Sequence, residues 1–111
     1  MEVLDQIVTL KCRVALEPGD RLNAVLLAED FRGVIEKLGG RCINPESIEL
    51  GKPSCYYLHP VAVAFEPGTL RSHVTFYGPH LSAVSAIREK VQKAFEYPLK
   101  DTEIAGDISH G

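Results

Sequence analysis

No two of the three cysteines, Cys12, Cys42 and Cys55, stand in a C-x-x-C arrangement. That spacing marks zinc knuckles and thioredoxin-type redox sites, so neither is expected. The odd count and wide separation also argue against a disulfide framework of the secreted kind. Long apolar runs are missing as well. The longest are Ala24–Ala28 and Pro60–Phe65, far short of the roughly 20 residues that a membrane helix needs. Met1–Asp5 carries acids and no basic stretch, so no secretory leader is expected. These absences lead to an expected cytoplasmic, reducing location without a membrane partner. There is no surplus of positive charge: 12 Lys+Arg stand against 15 Asp+Glu, a formal net charge of −3. Dominant phosphate-backbone binders are usually basic, so nucleic acid is not the expected partner. Glycine-rich phosphate loops are absent. Gly39-Gly40 follows a helical stretch, the wrong end for an anion, because anions favour helix N-termini. No cofactor is expected.

What is present is an ordinary globular balance, 45% hydrophobic and 24% charged in 111 residues. That is one domain's worth of chain with enough apolar surface for its own core.

Residues 7–16 alternate. Val8, Leu10, Cys12, Val14 and Leu16 share one face, and Ile7, Thr9, Lys11, Arg13 and Ala15 the other. Period two over this length predicts a strand with one buried face. Glu17-Pro18-Gly19-Asp20 breaks it, and Asp20 can cap a helix. From Asp20 to Leu38 the period is helical. Ala24, Leu27, Ala28, Phe31, Val34, Ile35 and Leu38 fall on one stripe within about 120°, and Gly39-Gly40 stops it. Leu22, Val25 and Leu26 lie off that stripe, beside the polar residues.

Arg41–Leu50 reads as an edge strand or bulge at best, because of Pro45. Cys55 to Phe65 is read as one alternating strand, with Cys55, Tyr57, His59, Val61, Val63 and Phe65 on the core face. Glu66-Pro67-Gly68-Thr69 is read as a tight turn. Leu70 to Tyr77 is the return strand, with Phe65 expected opposite Leu70. Its outward face then shows Arg71, His73, Thr75 and Tyr77. Gly78-Pro79 opens a second helix, whose stripe is Leu81, Val84, Ile87, Val91 and Phe95; Pro98 ends it. Residues 99–111 are expected to be a tail with at most one short strand, around 103–108, so that the domain proper is 1–98.

Two amphipathic helices and one sheet bury most apolar surface when both helices cover the same face. The expected architecture is an α+β two-layer sandwich of ferredoxin-like type, with a mainly antiparallel sheet of three to five strands.

Candidate chemistry follows from the uncovered face. Lys11, Arg13, Arg71, His73 and Tyr77 are expected to gather there, with His80 at the start of the second helix. These six are the candidate binding residues for a small anionic ligand. The four histidines, His59, His73, His80 and His110, and three cysteines match no closed zinc spacing, so no metal is expected. Cys55 and His59 share a strand face but would stand roughly 13 Å apart, too far for a nucleophile–base pair. Leu22, Val25 and Leu26 are the candidate subunit interface, since clustered exposed aliphatics mark contacts. A break of the helix near Glu29-Asp30, turning its first half toward the core, is the competing explanation.

The sequence therefore leads to a small homo-oligomeric binding, regulatory or assembly module without its own catalytic centre. One alternative is a small enzyme with an inter-subunit site near His73, Tyr77 and His80. Another is weak nucleic-acid binding through the basic sheet face.

Overall fold

The computed structural model describes residues 7–16, 23–44 and 48–106. Asp20, Leu22, Pro45 and His110 lie outside the described residues. The elements in chain order are β1 (Val8–Val14), α1 (Ala24–Lys37), β2 (Arg41–Cys42), β3 (Ser54–Leu58), β4 (Val61–Glu66), β5 (His73–Gly78), α2 (Leu81–Ala94) and β6 (Leu99–Ala105). They form an α+β fold. One antiparallel sheet of six strands, more than the three to five expected, runs in the order β2-β3-β4-β5-β1-β6, and two helices pack on it.

The helices lie where their apolar stripes dictate. Leu27, Ala28, Phe31 and Ile35 of α1 and Val84, Ile87 and Val91 of α2 are buried. They meet the even-numbered residues of β1, Val8 to Val14, and the inward face of β4 and β5. Phe31 is the hub, with ring centroids 4.8 Å from Phe65, 5.3 Å from Phe95 and 6.1 Å from Tyr56. Offset and edge-on packing at these separations suits the ring quadrupoles.

α1 runs unbroken through Glu29-Asp30, which removes the helix-break explanation for its off-stripe aliphatics. Asn23 caps it, its side chain accepting the Val25 N–H at 2.7 Å. At the far end Gly40 N–H bonds the Ile35 carbonyl and Gly39 N–H the Glu36 carbonyl. Gly39 sits at φ +91°, a left-handed turn that glycine takes without strain.

Three expectations are corrected. Cys55–Phe65 is not one strand. His59 and Pro60 form a turn between β3 and β4, with Leu58 opposite Val61 and Tyr56 opposite Val63. The turn inverts the parity, so Tyr56 and Leu58 are buried, while Cys55 and Tyr57 lie on the other face and His59 is exposed. The next connection is also longer than a tight turn. Phe65 pairs with Val74 rather than Leu70, and residues 67–72 form the loop. Gly68 N–H donates to the Ser72 hydroxyl at 3.3 Å and Val14 N–H to the Ser72 carbonyl at 3.0 Å. The second bond carries the β1 ladder past β5 and holds the loop down. A Cβ on Gly68 would collide with the Arg71 carbonyl, so only glycine fits there. Finally, β6 begins at Leu99 and pairs with β1 on both sides of a bulge at Thr102; the chain from 99 to 105 is an edge strand of the sheet.

Candidate functional site

The sheet keeps one face for the helices and leaves the other uncovered among the described residues. On that uncovered face the strand register sets out three rows. The first is Tyr57, Ala62, Tyr77, Thr9 and Ala105; the second is Cys55, Ala64, Thr75, Lys11 and Glu103; the third is Glu66, His73, Arg13 and Lys100. Four expected residues, Lys11, Arg13, His73 and Tyr77, are therefore together on one face. The other two are not. Arg71 sits in the 67–72 loop because the return strand starts at His73, two residues after it. His80 is the N-cap of α2, beyond Gly78 and Pro79.

The face is polar at one end and apolar at the other. At the apolar end a shallow groove of about 300 Å³ runs over Ala62, between Tyr57 and Tyr77, with Ile7, Pro60 and Pro79 around it. Tyr57 is held at its rim by a 3.0 Å hydrogen bond between its hydroxyl and His59 Nδ1, and by Arg41, whose guanidinium lies 5.8 Å from the ring centroid. At the polar end a cleft of about 460 Å³ opens where β1, the 67–72 loop, β6 and the first turn of α1 meet. Arg13, Arg71 and Lys100 line it, beside Ser72 and Ala24, and no carboxylate lines it among the described residues. Three cations from three elements give a positive field there, and the N-terminus of α1 adds its partial positive charge. Arginine forks suit a carboxylate or phosphate bidentately.

No local pattern in the sequence marks Lys100, which follows the second helix in the stretch expected to be a tail; its pairing with Arg13 places it. Tyr57 goes unmarked because the alternation assigns it to the core face. The signal that would have found it is His59-Pro60 read as a turn.

His73 lies at the polar end, paired with Arg13 on one side and Glu66 on the other. Burial, followed by the charge of Lys11, holds its imidazole below the usual value of 6.5; Glu66 opposes this, and Arg71 and Arg13 reinforce it. His73 and Tyr77 lie four residues apart on one strand, roughly 13 Å. The His80 imidazole is engaged at the helix start: its Nδ1 accepts the Ala83 N–H at 3.3 Å and meets the Ser82 hydroxyl at 2.8 Å. Accepting at Nδ1 leaves the neutral ring's proton on Nε2. The three residues of the candidate inter-subunit catalytic site thus do not converge within one chain.

Of the candidate interface residues, Val25 is half-buried and Leu26 is 55% exposed on α1. Leu70 in the 67–72 loop is 93% exposed. No helix among the described residues is long and apolar enough to cross a membrane.

The class defined by this geometry is an α+β protein with one helix-covered and one open sheet face. Comparison with family models, curated proteins and solved structures finds no match to the chain.

Proposed function

We propose that this protein is a small self-associating binding module that takes an anionic ligand in the cleft of Arg13, Arg71 and Lys100 and has no catalytic centre of its own. One observation carries the reading. Three cations from β1, the 67–72 loop and β6 line one cleft without a carboxylate among the described residues to neutralise them. Like charges gathered at one opening make a positive field that attracts an anion. Three free cysteines are in keeping with a cytoplasmic setting. The strand order β6-β1-β5-β4, with α1 between β1 and β4 and α2 between β5 and β6, supports a ferredoxin-like reading in which β2 and β3 extend one edge.

The test is a thermal-shift titration with inorganic phosphate, citrate and a nucleoside triphosphate as probes. A ligand at a hundredfold excess over its Kd adds about 2.7 kcal/mol of stability. At least one probe is expected to raise the melting temperature of the wild type. Arg71→Ser with Lys100→Ser is expected to abolish that response while leaving the circular dichroism spectrum unchanged. A wild type indifferent to all three probes, or a double variant that responds equally, overturns the cleft.

A further inference from the structure

We infer that the open sheet face is the contact between two copies of this chain, packed sheet on sheet about a two-fold axis that runs along β5, with Glu66 of each copy against Arg13 of the other. This deepens and rests on the self-association proposed above; it shares Arg13 with the anion cleft and leaves Arg71 and Lys100 to the anion.

A solvated sheet face carries charges along every strand. Here β3, β4 and β5 hold Tyr57, Cys55, Ala62, Ala64, Thr75 and Tyr77 in the first two rows, with Glu66 and His73 in the third. The formal charges are confined to β1, β6 and the last residue of β4. Loss of charge at the centre with aromatic residues retained is the compositional mark of an interface core, and a charged rim is its complement.

The area suits a weak interface. The five long strands β3, β4, β5, β1 and β6, at about 4.8 Å spacing and roughly 20 Å length, make a plane of about 500 Å². Two such faces bury about 1,000 Å² in total, at the weak end of specific interfaces.

The register then selects the axis. An isologous contact must be complementary to itself under a two-fold. β5 is the middle of those five strands, so an axis along it overlays them all. That operation lays β4 on the partner's β1 and β3 on the partner's β6. In the third row Glu66, His73 and Arg13 are consecutive across the sheet, so Glu66 falls on Arg13 of the second copy, and the reverse contact follows by symmetry. In the first row the bulky Tyr57 falls on the small Ala105. Among the described residues neither Glu66 nor Arg13 has an ion-pair partner within its own chain. An axis across the strands through the second row would instead set Lys11 on Lys11. Packed sheets cross at about 30°, which shifts the third row by only a few Å, within reach of an arginine.

The experiment is a charge exchange read by analytical ultracentrifugation of the full chain. The wild type is expected to be a dimer at about 100 µM, above the micromolar Kd of weak interfaces of this size. Glu66→Arg and Arg13→Glu are each expected to weaken it by at least about tenfold. The double variant Glu66→Arg, Arg13→Glu is expected to regain it. Thr75→Arg, which sets like charges together at the axis, is expected to give a folded monomer and serves if a single exchange variant fails to fold. A monomeric wild type overturns both this contact and the self-association reading. An oligomer untouched by Glu66→Arg and Thr75→Arg but split by Leu26→Lys puts the contact on α1 and overturns only the sheet face. Failure of the double variant to recover overturns the Glu66–Arg13 pairing. A monomer that binds a labelled single-stranded oligonucleotide through Tyr77 assigns the face to nucleic acid and overturns the dimer.

Discussion

The Cys12 thiol donates to Asp101 Oδ1 at 3.3 Å, which ties the centre of β1 to the edge strand β6. The same carboxylate oxygen accepts Arg88 Nε at 3.0 Å, and a second Arg88 nitrogen reaches the Leu99 carbonyl at 2.6 Å. β6 buries only Leu99. Polar ties from both layers therefore supplement its ladder where apolar packing is thin.

This arrangement makes Cys12 chemically quiet. Burial first, then the hydrogen bond and negative charge of Asp101, push its thiol up to about 12, with Arg88 opposing. The thiolate is the reactive form. A thiol reagent at pH 8 is expected to modify no more than Cys42 and Cys55 in the native protein and all three cysteines after denaturation. Rapid labelling of Cys12 in the folded protein would contradict its placement.

Adjacent tyrosines should behave oppositely. Tyr56 is fully buried against Phe31 and its hydroxyl accepts Arg32 Nε at 3.1 Å. Tyr57 lies on the open face. Tyr56→Ala is expected to cost about 3–5 kcal/mol, as for other large aromatic truncations, and Phe95→Ala the same. Tyr57→Ala should stay within about 1 kcal/mol. Chemical denaturation at fixed protein concentration measures all three. Equal costs at 56 and 57 would reject the turn at His59-Pro60.

His73 makes stability fall on the acid side of neutrality. Its folded-state value lies below the unfolded 6.5, chiefly through burial. The unfolded chain therefore binds more protons in this window, and stability rises with pH there. The contribution is complete above 6.5 and is lost as pH falls through 6.5 toward the folded value. His73→Gln is expected to flatten this part of the profile of melting temperature against pH. An unchanged slope would place the dependence elsewhere.

The sequence by itself determined the local pattern. The alternation of Val8, Leu10, Cys12 and Val14 and the stripe of Val84, Ile87 and Val91 each have one good solution, because burying any other face would expose the apolar set. The face assignments of β5 were legible for the same reason. A strand's side chains repeat every two residues, so sliding Phe65 from Leu70 to Val74 keeps Val74 and Phe76 inward and His73 and Tyr77 outward. That invariance is also why the register itself was not legible. It was decided by the Val14–Ser72 bond and the close approach at Gly68, which stretch the loop over six residues and carry Arg71 off the sheet into the cleft. The parity of β3 was undecidable in a similar way. Cys55 and Tyr57 match the core face as well as Tyr56 and Leu58 do, and only pairing with β4 across the His59-Pro60 turn chooses between them. The cleft joins residues that stand 87 positions apart in the chain, Arg13 and Lys100. No local period links them, and the antiparallel pairing of β6 with β1 alone brings their charges together.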